Sequence, residues 1–196
     1  MVKIRGLPVA LLLLTACDAQ NGLAPSPAVV ARTDGPGEHE GQEFLTAAAS
    51  GGGHYSLAGL DVQFRFRAVS HRDGRATGRF HIKADEGGGL LIDFSAEVTC
   101  LAVDPANHRA WIGGVITRNR STDPDLLTTI QQPGHDIWFR VLDAGEGKDA
   151  IDRTTFTGFE GGGGIPTSAA YCAARIWPAD NARTWPVVRG NIRVRP

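Results

Sequence analysis

Val62-Gln63-Phe64-Arg65-Phe66-Arg67-Ala68 and Arg79-Phe80-His81-Ile82-Lys83 alternate apolar and polar residues one for one. That is the period of a strand with one buried face. Arg72-Asp73-Gly74 lies between them and reads as a three-residue hairpin loop with Gly74 in the left-handed position. The loop pairs Phe66 with Phe80, Phe64 with Ile82 and Arg67 with Arg79. A two-residue Asp73-Gly74 loop would place Arg67 opposite Phe80 and mix the faces, so one buried face selects the first register. The alternation resumes after Asp85-Glu86-Gly87-Gly88-Gly89, with Ile92, Phe94, Ala96 and Val98 on the apolar side. A loop over 85–89 predicts Ile82 opposite Ile92, Phe80 opposite Phe94 and His81 opposite Asp93. Asp104-Pro105-Ala106-Asn107-His108 predicts Cys100 opposite Ile112 and Val98 opposite Gly114. These four strands form an antiparallel meander with Phe64, Phe66, Phe80, Ile82, Ile92 and Phe94 pointing inward. The polar face turns apolar at Leu101, Val103 and Trp111, where something must cover it.

Further strands are predicted at 136–143, 154–159 and 187–195, and a short one from His54 to Leu60. Thr122-Asp123-Pro124 resembles a helix start, and Leu126, Leu127 and Ile130 have helical spacing, so a brief helix or lid is expected near 122–131. Seven or eight antiparallel strands make an all-β domain. Consecutive hairpins favour an up-and-down barrel, with a sandwich as the alternative. The domain is expected over 51–196, with the irregular segment after Cys172 packing across it.

Twenty basic residues face 21 acidic ones, a net charge of -1. That balance excludes a generally basic nucleic-acid binder and a highly charged disordered chain. The chain starts with Lys3 and Arg5 and an apolar run from Leu7 to Leu14, too short to span a bilayer and suited to a signal peptide over 1–16. Leu14-Thr15-Ala16-Cys17 resembles the lipobox of bacterial lipoproteins. The resemblance implies acylation of Cys17, cleavage before it, and an exported chain held to a membrane by its acyl chains. Asp18 resembles an inner-membrane retention signal of enteric bacteria, a rule that does not carry over to others, so the choice of membrane stays open. Residues 17–50 then read as the lipidated cysteine and a flexible tether, rich in Gly, Pro and Ala.

Val98-Thr99-Cys100-Leu101-Ala102-Val103 and Ala110-Trp111-Ile112-Gly113-Gly114-Val115 resemble a family of secreted bacterial β-proteins without an established activity. The resemblance extends from about Gly53 to Asn191. It implies a β-fold and an exported compartment, and no catalytic residues. The cysteines are Cys17, Cys100 and Cys172. With Cys17 lipidated, Cys100 and Cys172 are expected to pair in an oxidising compartment, the alternative being two buried thiols. The long loop so closed gives roughly 4 kcal/mol by the loop-entropy relation.

Asp143, Glu146, Asp149 and Asp152 form the densest acidic stretch, a weak Ca²⁺ candidate that lacks the EF-hand pattern and includes Lys148. No pair of histidines has metal-ligand spacing, Gly161-Gly162-Gly163-Gly164 lacks the helix and lysine of a phosphate loop, and no serine has a nucleophile setting. No cofactor is implied. Asp93, Glu97 and Glu160 are unspecific acid–base candidates, and the four tryptophans suit a core as well as a ligand site. Arg65, Arg67 and Arg79 form a candidate anion-binding face, with Asp93 expected to face His81 and Arg65 completing the row. The reading is a lipid-anchored envelope protein whose β-domain binds or scaffolds a polymer or protein. An apolar-ligand carrier with an open barrel interior is the alternative, and a carboxylate enzyme a more distant one.

Overall fold

The structure is a computed structural model that describes residues 45–147 and 149–196. Strands β1 (Leu45–Leu57), β2 (Leu60–His71), β3 (Ala76–Gly87), β4 (Leu90–Asp104), β5 (Arg109–Asn119) and β6 (Asp136–Leu142) run as an antiparallel meander. Two-residue strands follow: β7 (Arg153–Thr154), β8 (Gly158–Phe159) and β9 (Trp185–Pro186). Strand β10 (Arg189–Arg195) returns to pair with β1, giving the order β10-β1-β2-β3-β4-β5-β6-β7-β9, with β8 also on β6. The sheet curls into a half-barrel, and the all-β architecture is as the alternation requires. The first strand begins at Leu45, so residues 45–50, read as tether, belong to the sheet: Ala48, Ala49 and Ser50 pair with both β2 and β10. Their small, weakly strand-forming side chains hid this.

Strands β2 and β3 pair as expected, Phe66 opposite Phe80, Phe64 opposite Ile82 and Arg67 opposite Arg79. The loop is Arg72-Asp73-Gly74, closed by the His71 amide donating to the Arg75 carbonyl at 2.9 Å. The β3–β4 register differs from expectation by two residues. Ile82 faces Phe94, Phe80 faces Ala96, His81 faces Ser95 and Lys83 faces Asp93. The strands run on through Asp85 and Glu86, and only Gly88-Gly89 form the turn. A slip of two preserves the face, so the apolar side stays continuous.

A slip of one also occurs, inside β4. Val98 pairs with Gly114 as expected, but Cys100 pairs with Gly113 and Leu101 with Ile112, because a bulge inserts Thr99. The bulge inverts the faces beyond it. Leu101 and Val103 pack on the main core, whereas Ala102 and Cys100 join Trp111 and Trp138 on the opposite side. The main core holds Phe64, Phe66, Phe80, Phe94 and Phe139, with Phe66 and Phe80 edge-on to Phe139 at 5.2 and 5.0 Å. Opposite Phe66 stands Gly51, where a Cβ would come within 2.9 Å of that ring.

The outer apolar patch is covered by helix α1 (Ser168–Ala174), which carries Tyr171 and Cys172. Thr167 caps it by accepting from the Ala170 amide at 3.1 Å. The Cys100–Cys172 disulfide closes a separation of 72 residues, with Cα atoms 6.2 Å apart, and ties α1 to β4. Gly113 lets the helix in close, since a Cβ there would lie 2.7 Å from Cys100 Sγ and Ser168 Cβ. The helix expected near 122–131 is instead two single 3₁₀ turns, Pro124–Leu126 and Thr129–Gln131. Leu127 and Ile130 are exposed, so this segment has no apolar stripe to bury. The strand expected over 154–159 is likewise split into β7 and β8.

Two carboxylates complete the edge of β10 that faces away from β1. Asp152 accepts from the Ile192 amide at 2.6 Å and Asp143 from the Val194 amide at 2.9 Å. The other oxygen of each holds its own loop, Asp152 through Ala144 N at 2.9 Å and Asp143 through Gly145 N at 2.8 Å. Between β9 and β10, Val187 N donates to the Asp152 carbonyl and Val188 N to the His54 carbonyl, so this stretch bridges β1 and the β7 end. Charge-assisted bonds of this kind contribute more than neutral ones. Asp152→Ala is expected to cost about 2–4 kcal/mol, from a lost acceptor and a stranded buried amide. Urea denaturation checks it, with exposed Ser56→Ala expected to leave the midpoint unchanged.

Candidate functional site

The outward face of β10, β1, β2, β3, β4 and β5 collects cations because its strands alternate. With Phe64 and Phe66 inward, Arg65 and Arg67 point out. With Phe80 and Ile82 inward, Arg79, His81 and Lys83 point out. Two cross-strand rows result. One runs Arg67, Arg79, Glu97, and the other runs Arg65, His81, Ser95, Arg118. Strand spacing sets about 4.8 Å between neighbours in a row. Over these rows lies an open groove of about 740 Å³ lined by Arg65, Arg67, Arg79, His81, Glu97 and Arg118, among others.

The carboxylates of this face do little to neutralise it. His81 Nε2 lies 2.9 Å from Asp93 Oδ1, so the expected contact forms, though diagonally rather than between directly opposed residues. Asp61 lies 3.0 Å from His54 Nδ1. Glu97 stands opposite Arg79 with 3.9 Å between Nη2 and Oε1, both well exposed, a loose pair of little energetic weight. Arg118 Nη2 donates to Ser95 Oγ at 3.2 Å.

Four cations were missed by sequence reasoning. Arg118 reaches the groove from β5. Arg189, Arg193 and Arg195 come from β10, whose inward residues are Ile192 and Val194. Arg193 pairs with Ser50, which pairs with Arg67. The small outward residues Ala48, Ser50 and Gly52 of β1 thus lie between two banks of arginines. The alternation of β10 was visible, but its partner strand was not.

The other candidates separate. Asp143 and Asp152 are occupied at the β10 edge, Glu146 and Asp149 sit on an exposed loop, and no cluster with metal-holding geometry occurs among the described residues. Cys17 lies outside the described residues. Glu160 meets His135 Nδ1 at 3.0 Å, so the three acid–base candidates have three different partners. Of the tryptophans, Trp111 donates to the Ile176 carbonyl at 2.9 Å, Trp177 donates to Asn181 Oδ1 at 2.9 Å, Trp138 stacks on Tyr171 at 5.4 Å and Trp185 on Tyr55 at 6.2 Å. Trp138 and Trp185 also border a second cleft of about 600 Å³ beside α1.

No protein-family model matches the chain, and no curated protein or solved structure does.

The two tyrosines of the chain, Tyr55 and Tyr171, are both buried. Burial pushes the Tyr171 phenol up to about 12, partly offset by the neighbouring Arg140 cation, and burial also raises Tyr55. Each phenol stays protonated in the fold where the unfolded chain would ionise it. Stability is therefore fully present below about pH 10 and declines as pH rises from there toward the folded value. Phenolate absorbance in an alkaline titration is expected to stay flat near pH 10 and to appear in one cooperative step with unfolding. A gradual rise centred near pH 10 in the folded protein would contradict the burial of both rings.

Proposed function

We propose that this chain is an exported, lipid-anchored envelope protein whose β-domain binds an anionic polymer along the outer face of β10 to β5. The leader and lipobox resemblance supports the anchor, through acyl chains on Cys17. The observation that carries the binding reading is the charge of one face in a chain of net charge -1. Arg65, Arg67, Arg79, Lys83, Arg118, Arg189, Arg193 and Arg195 share it with four carboxylates, Asp61, Asp85, Asp93 and Glu97, two of them held by histidines. Arg67 opposite Arg79 is a repulsive cross-strand pair that a bound anion would relieve. Guanidinium groups suit carboxylate or phosphate repeats, which they meet with two parallel hydrogen bonds. The ring-filled core supports binding outside the sheet rather than within it.

The test uses the full chain in detergent with polygalacturonate as the anionic probe and dextran as the neutral one. Polygalacturonate is expected to bind at low ionic strength and to weaken steeply toward about 0.5 M salt, where screening is short-ranged. Replacing Arg65, Arg67, Arg79 and Arg118 with Gln is expected to weaken binding by about ten-fold or more. Absence of binding at low salt, or equal binding by the variant, would overturn the reading. For the anchor, intact mass should show lipid on Cys17, and Cys17→Ala should leave the membrane fraction.

A further inference from the structure

The second cleft lies between β6, α1 and the segments 155–165 and 176–185. Its walls are apolar: Phe156, Ile165, Ile176 and Trp185 contribute, and Ile176 is half exposed at this position. Two arginines line it, Arg140 and Arg183, and no carboxylate does. Arg140 is more than nine-tenths buried, at 8 % exposure. A guanidinium stays charged at any working pH, and a buried one normally has a carboxylate partner.

Arg140 has none among the described residues. Its Nη1 donates to the Ile176 carbonyl at 3.4 Å and its Nη2 to the Ala182 carbonyl at 3.3 Å, both long. Its Nε has no acceptor. The Trp177 ring, 5.4 Å from the guanidinium carbon, offers a π face and the Tyr171 phenol a hydrogen bond, and neither brings a negative charge. Thr157, also 8 % exposed and lining the cleft, has a hydroxyl without a partner. A buried cation and a buried hydroxyl are thus both under-satisfied beside an apolar-walled cleft, whose volume falls in the roughly 300–1,000 Å³ range of small-molecule sites.

We propose that this cleft binds a small amphiphilic carboxylate. The carboxylate pairs with the Arg140 guanidinium, whose charge has no counterion among the described residues, and the apolar body lies against Phe156, Ile165, Ile176 and Trp185. The site is separate from the polyanion face, since none of its lining residues belongs to that groove. It also differs from a carrier cavity inside the sheet, because Trp138 and Arg140 point away from the main core.

Decanoate and decanol, each below its aggregation limit, are the probes, read by calorimetry and by tryptophan fluorescence on the full chain. Decanoate is expected to bind at least about ten-fold more tightly than decanol, the difference being the charge that meets Arg140. Arg140→Gln should remove that preference, with folding checked by circular dichroism. Ile176→Asp, at a half-exposed position and with folding checked in the same way, should weaken decanoate by about ten-fold or more through repulsion at the cleft. The variant lacking Arg65, Arg67, Arg79 and Arg118 should bind decanoate as the wild type does, which separates this site from the outer face. Equal affinity for the two probes, no decanoate binding, or unchanged decanoate affinity in either folded cleft variant would overturn the proposal.

Discussion

A sheet that curls without closing on itself has an edge strand whose amides need acceptors, and here Asp143 and Asp152 supply them. Strand β10 pairs with β1 along one side and meets these two carboxylates along the other. Edge strands are otherwise open to pairing with other chains. Fixing β10 in this way also fixes the direction of its side chains. Ile192 and Val194 close the core, and Arg193 and Arg195 join the outer face. The acidic loop and the basic face are therefore linked: the first holds in place the strand that completes the second.

The bulge at Thr99 divides the sheet into two working regions. Before it, β4 sends Phe94, Ala96 and Val98 inward and leaves Ser95 and Glu97 in the cationic groove. Beyond it, Cys100 and Ala102 face outward with Trp111 and Trp138, and that surface is too apolar to leave in water. Helix α1 covers it and the disulfide holds the helix there. The cleft at Arg140 arises where this cover meets the segment 176–185. One inserted residue thus gives the sheet a polar outer region and an apolar one.

Periodicity made the local hairpins legible. The β2–β3 register could be derived because Asp73-Gly74 located the turn and the single buried face then excluded the two-residue loop. The β3–β4 register could not, since a shift of two residues leaves the same face buried and the two pairings look alike in sequence. The Thr99 bulge left no signal, because Leu101 and Val103 are as apolar as the residues they displaced. Of the cationic face, Arg65, Arg67 and Arg79 were legible from β2 and β3 alone. Arg189, Arg193 and Arg195 were not, because their place depends on pairing the last strand with the first. Asp143 and Asp152 were noticed for their density, but their partners are backbone amides some 40 to 50 residues away, which no spacing rule announces. Arg140 gave no sign at all, since its burial depends on the cover supplied by α1 and the segment after it.

Amide hydrogen exchange at Ile192 and Val194 tests the locked edge most directly. If the two carboxylates hold β10 against the sheet, both amides exchange only with global unfolding, at the rate of central amides such as those of Phe80 and Ile82. Exchange of Ile192 and Val194 as fast as that of exposed loop amides, while β2 and β3 remain protected, would show that β10 is not locked and would contradict the account.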